Sequence, residues 1–239
     1  MSTALMDLIA EPSPRFKATR ATVLCVTAFL MAAAAAFVRF KLVVPADPTA
    51  TATNILAHEP LFRMLFAADL ISASCYVAVT LLFHEMFKSV DERLSVLTAF
   101  LGLASGTIVA FGCLFHFAAL LILKGAQSLN ILSLEPLPAL VLRCLQLQAQ
   151  AHGISLALFG FYCVLLGYLI VRSTFLPRFL GAAMAIAGLG WLAFVSPQLA
   201  HQLSPSIVGA ALLAEGTLIL WLLVIGVNGH LPHLALRSS

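Results

Sequence analysis

The chain has 239 residues, of which 62% are hydrophobic and 10% charged, with a mean hydropathy of +1.04. A soluble domain carries roughly 45–50% apolar and about 25% charged residues, so this much apolar surface has no room in a single core and belongs in a membrane. That excludes a disordered chain, a collagen and a disulfide-stapled secreted module, and the net charge of +3, spread over scattered Lys and Arg, offers no basic stripe to nucleic acid.

A helix needs about 20 apolar residues to cross the hydrocarbon core. Six such runs occur in order: Thr19 to Val44, Leu61 to Phe87, Leu94 to Leu123, Gln146 to Val171, Phe179 to Ala200 and Ile207 to Val227. The expected fold is therefore all-α, a polytopic bundle of six transmembrane helices over residues 19–227, with a cytoplasmic segment at 1–18 and a cytoplasmic tail at 228–239. The stretch Arg15 to Ala36 also reads as a signal peptide, with a basic start and an Ala-rich end. Apolar character resumes at Phe37 and runs to Val44, which favours a retained span.

Orientation follows from the connectors. With the N-terminus inside, the inner segments hold Arg15, Lys17, Arg20, Lys88, Arg93, Arg172, Arg178 and Arg237, against Arg39, Lys41, Arg63, Lys124 and Arg143 outside. This asymmetry places both termini in the cytoplasm and the chain in the inner (cytoplasmic) membrane. The outer connector Ala46 to Pro60 is Thr- and Ala-rich and is expected to cap the outer face. Ala126 to Arg143 is too polar to span and too leucine-rich to float free, so it reads as an interfacial piece broken at Pro136 and Pro138. Pro197 and Pro205 mark Ser196 to Ser206 as another connector. The five cysteines form no C-x-x-C pair and read as small buried hydrophobes.

Polar residues inside spans usually face the bundle interior or a wet cavity. At 100° per residue, Asp69, Ser72, Tyr76, Thr80 and His84 fall within about 120° on the second span. On the third, Thr98, Gly102, Ser105, Gly112 and His116 fall within about 80°. The fourth span carries two stripes: Gly153, Gly160 and Gly167 repeat every seven residues as a close-packing seam, and Gln148, His152, Ser155, Phe159 and Tyr162 mark the opposite side. A helix featured on both sides is expected to be central. Counting about 1.5 Å per residue from the outer boundary puts Asp69, His116, His152 and Glu215 at one level, roughly 9–14 Å deep.

The candidate pocket is thus Asp69, Ser72, Tyr76, His116, Gln148, His152, Ser155 and Glu215, opening outward. Several chemistries suit such a layer. Asp69, His116 and His152 are of the right type for zinc, which could activate water against a lipid-like ester, although no two ligands stand at i, i+3 or i+4 on one helix. His116 and His152 share a depth suited to axial ligation of haem b. An ion or proton path is a further use of intramembrane acids and histidines. Hydrogen bonding that only fixes helix register is the plain alternative.

The run His152 to Leu192, with Gly160, the Gly167-Tyr168-Leu169 step, the turn Ser173 to Arg178, then Gly181 and the Ala187-Gly188-Leu189 step, resembles the bacterial membrane family known as domain of unknown function 4386. Asn54, Phe62, Arg63 and Asp69 are similar to that family's approach to its second span, and the likeness covers Arg20 to Gly226. The resemblance implies a six-helix bacterial integral membrane protein and brings no activity, cofactor or catalytic residue. The function expected from the residues is binding of a small or lipidic ligand, or service as an accessory subunit among other membrane proteins in the bilayer. The alternatives are an intramembrane zinc hydrolase and an ion or solute carrier.

Overall fold

The computed structural model describes the backbone of residues 14–129 and 136–228, and the side chains of 19–129, 136–196 and 206–224. Helix α1 spans Pro14–Leu42, α2 Pro48–Ala57, α3 Glu59–Phe87, α4 Glu92–Ser128, α5 Pro136–Arg172, α6 Arg178–Trp191 and α7 Pro197–Asn228, with a 3-10 turn at Leu192–Val195 between α6 and α7. Six of these are long and apolar enough to cross a membrane, and the described residues contain no strand. The termini beyond these limits, with Arg15, Lys17, His201, His230, His233 and Arg237 or their side chains, lie outside the described residues.

The long helices close a ring. α1 packs on α3 and α7, α3 on α4, α4 on α5, α5 on α6, and α6 on α7. Half of the apolar window of α5 is buried, against 17% for α1, so α5 is the central helix that its two-sided pattern implies. Two apolar clusters fill the ring. One, at the end carrying α2, gathers Leu42, Ile55, Phe62, Leu65, Leu123 and Leu145. The other, towards the α3–α4 and α5–α6 hairpins, gathers Val79, Phe83, Tyr162, Leu166, Leu180 and Leu218. Between them along α3 lie Asp69 and Ser72, and along α5 Gln148 and Ser155, so a polar belt divides the core.

The short helix α2 is the ordered cap expected from Ala46 to Pro60. Asp47 accepts from the backbone N–H of Ala50 at 2.9 Å as its N-cap, and Pro48 stands where a helix has no use for an N–H. Thr51, Ala52 and Ile55 turn inward. Thr51 donates to the Val44 carbonyl at 3.0 Å, and the Asn54 amide donates to the Leu42 carbonyl at 3.3 Å, satisfying groups that the end of α1 leaves open.

Two connectors differ from the sequence expectation. Ala126–Ser128 continue α4, and Pro136 opens α5, so both helices run 37 residues; residues 130–135 of the expected interfacial piece lie outside the described residues. The prolines start a helix here because a first-turn residue needs no intrahelical donor. Likewise α7 begins at Pro197, not after Pro205.

On α5, Gly160 and Gly167 face Gly188 and Gly181 of α6. A Cβ on Gly160 would stand 2.8 Å from the Gly188 carbonyl oxygen, and one on Gly167 2.5 Å from that of Gly181. The backbones touch, as small-residue seams allow in membranes. Gly153 lies outside this seam: a Cβ there would meet nothing within 4 Å. The heptad repeat extends past the point where α6 gives way to the 3-10 turn, so its first glycine has no helix to meet. The hairpin joining the seam is shaped as its residues suggest: the Ser173 hydroxyl donates back to the Ile170 carbonyl at 2.8 Å, and Pro177 caps α6 in extended backbone.

Candidate functional site

The polar belt is built by four helices. From α1, the Arg39 guanidinium is ion-paired with the Asp69 carboxylate of α3. From α5, the Gln148 amide nitrogen donates to the same Asp69 oxygen at 3.2 Å. From α4, His116 is 1% exposed, stacks on the Phe62 ring at 3.9 Å and donates through Nε2 to the Phe62 carbonyl at 2.9 Å. A carbonyl only accepts, so that bond fixes the proton on Nε2.

Phe62 and Gln148 thus contact His116 and Asp69, and three buried polar atoms around them, Arg39 Nε, His116 Nδ1 and Gln148 Oε1, close no hydrogen bond, although the Gln148 side chain stands within hydrogen-bonding range of the His116 ring. Asp69 and Arg39 keep side-chain exposures of 13% and 30%, so the pair is not sealed. His152, on α5, is exposed and yet within electrostatic range of both Arg39 and Asp69.

The other candidate residues do different work. Ser72 donates to the Ala28 carbonyl at 2.9 Å, tying α3 to α1. Ser105 and Ser155 exchange hydrogen bonds with each other's carbonyls at 3.1 and 3.0 Å, tying α4 to α5. Tyr76 belongs to an aromatic layer, its ring edge-on to Phe159 at 5.6 Å and Tyr162 at 5.8 Å, and both tyrosine hydroxyls are buried with Thr80 in range. His84, at the far end of the α3 stripe, meets Ser95 of α4 at 2.9 Å.

Glu215 is not part of the belt. It accepts from the Trp191 indole at 3.4 Å and has Cys25, Tyr76 and Cys163 within electrostatic range, which places it beside the aromatic layer. α7 starts at Pro197, ahead of the apolar span that begins at Ser206, and its packing against α6 turns Glu215 to Trp191, so a shared depth did not bring it to Asp69. The expected zinc set is also not assembled: among the described residues no three His, Cys, Asp or Glu side chains gather as metal ligands. Asp69 is engaged by a cation and an amide, and His116 commits its Nε2 to backbone, which also removes that nitrogen from axial haem ligation.

Arg39 is the member that sequence reasoning missed. Counted as an outer-loop charge, it stands inside α1, three residues before its end, and turns onto α3. The available signal was its position within an apolar run opposite an unpaired intramembrane acid.

The model of a domain of unknown function, DUF4386, matches residues 21–226. The chain belongs to that family. The match reaches into all six long helices of this DUF4386 protein and includes the belt and the glycine seam. No curated protein and no solved structure matches the chain.

Proposed function

We propose that this DUF4386 protein resides in the cytoplasmic membrane with both termini inside, and binds a small or lipidic ligand in a polar crevice lined by α1, α3, α4 and α5. The observation that carries the reading is the set of three buried, unpartnered polar atoms, Arg39 Nε, His116 Nδ1 and Gln148 Oε1, around one membrane-embedded ion pair. Buried polar atoms are nearly always hydrogen-bonded, and leaving one open costs about 1–3 kcal/mol. Three in one belt point to an occupant. A register-fixing role alone calls for no such surplus, and Ser72 with the Ser105–Ser155 pair already supplies that function with closed hydrogen bonds.

Organic extraction of the protein purified in mild detergent should release a bound molecule in near-stoichiometric amount, and Asp69→Asn should lower that amount several-fold. Extracts of wild type that contain only bulk lipid in bulk proportions would overturn the reading. Elemental analysis and an absorbance spectrum of the same sample cover the other chemistries: stoichiometric zinc or a Soret band would replace the ligand-binding proposal.

The orientation is tested by reporter fusions. Those after Lys88 and after Ser173 should report a cytoplasmic location, and those within Thr49 to Thr53 an external one, because the basic residues are asymmetrically distributed. The reverse pattern would turn the crevice to the cytoplasm.

A further inference from the structure

The hydrogen-bonding inventory of the belt defines what can occupy it. Asp69, ionised in its pair with Arg39, only accepts, so the Gln148 amide must present its nitrogen there and leave Oε1 as an open acceptor. His116 spends its Nε2 proton on the Phe62 carbonyl, so the neutral ring leaves Nδ1 as a second acceptor, and the Gln148 side chain stands within range of the same ring, so the two acceptors share one region of the belt. Arg39 uses Nη2 on Asp69 and leaves Nε–H as an open donor. The fitting occupant therefore donates at two points and accepts at one.

Charge narrows it further. The Arg39 and Asp69 charges already match each other, so an anion arriving at the belt would stand against the Asp69 carboxylate and a cation against the Arg39 guanidinium. Taking an ion out of water is costly unless it is fully paired, and here each potential partner is engaged. Hydroxyl groups donate and accept at once, and two on adjacent carbons supply two donors with acceptor capacity to spare.

Resting on the reading of the belt as a ligand site, we propose that it selects a neutral, hydroxyl-bearing group, either a glycerol-type lipid headgroup or a free polyol.

The test uses the full chain in mild detergent and measures thermal stability against five probes: monooleoylglycerol, methyl oleate, dioleoyl phosphatidate, a dioleoyl trimethylammonium lipid and free myo-inositol. Monooleoylglycerol or inositol should raise Tm, the first identifying a lipid headgroup and the second a soluble polyol as the source. Methyl oleate, phosphatidate and the cationic lipid should not. Gln148→Leu should weaken the response about tenfold in apparent affinity, as loss of one buried hydrogen bond does. Because that variant also loses its Asp69 contact, Arg39→Lys serves as a second one: it keeps the charge at Asp69 and removes Nε–H. Preference for phosphatidate or the trimethylammonium lipid would overturn the neutral-hydroxyl class while leaving a ligand site in place. Equal shifts from all four lipids, unchanged in both variants, would mean annular lipid and overturn both readings. No shift with any probe overturns the polyol class, and the extraction experiment then decides the broader reading.

Discussion

Replacing Gly160 with leucine should cost the protein at least about 3 kcal/mol of stability in detergent, against about 1 kcal/mol for Leu165→Ala on the same helix. A Cβ at Gly160 would lie 2.8 Å from the Gly188 oxygen and 3.0 Å from the Leu192 backbone nitrogen. Those neighbours are backbone, so no rotamer change relieves the overlap, and α6 must move away from α5. Moving it also separates Gly167 from Gly181, where the fit is tighter still, and forfeits the many small dispersion contacts on which helix association in lipid depends. Leu165 is only half-buried and its truncation leaves the backbones in place. Gly153→Leu is an internal control, because open space surrounds that position and little change is expected. Equal unfolding temperatures for Gly160→Leu and Gly153→Leu would show that the seam does not hold α5 and α6 together.

Asp69→Leu should destabilise the bundle by about 2–4 kcal/mol, and adding Arg39→Leu should restore part of that loss. Removing the carboxylate strands a guanidinium and the Gln148 amide among apolar helices, whereas removing both charges leaves only the amide to be satisfied. Arg39 remains 30% exposed and can swing its head toward polar surroundings, which holds the penalty below that of a fully sealed pair. Chemical denaturation of the two single variants and the double variant gives the coupling directly, with about 1–3 kcal/mol expected for groups in contact. Strict additivity would mean that the two charges do not sense each other. Under the proposed ligand-binding reading, release should fall in all three variants, so stability and binding separate in the double variant.

The six spans are legible in the sequence because crossing a membrane demands about 20 apolar residues whatever the neighbours are. The inward face of the third span was equally legible, since a polar group in lipid must turn away from it: Thr98, Ser105 and His116 are all at most 3% exposed, whereas on the second span Thr80 is buried and Asp69, Ser72, Tyr76 and His84 are half-buried. The glycine repeat on the fourth span was read as a seam, and Gly160 and Gly167 are one.

Partner choice was not legible. Periodicity states which face a residue occupies and says nothing of which helix lies opposite, so Ser155 and Tyr76 were grouped with Asp69 although they answer to Ser105 and to the aromatic layer. Depth counts depend on where a helix begins, and proline misled twice. Pro136 and Pro205 read as breaks, but a first-turn proline needs no donor, and α5 opens at Pro136 while α7 runs from Pro197 through Pro205, so both helices are longer than expected; Glu215 meets Trp191 and not the belt. Arg39 shows the limit most clearly. Its charge and its place near the end of α1 are sequence facts, and they suit a loop cation as well as a buried one. Only the packing of α1 against α3 brings the guanidinium to Asp69, because the attraction between two charges depends on their distance in space, and 30 residues of chain separate these two.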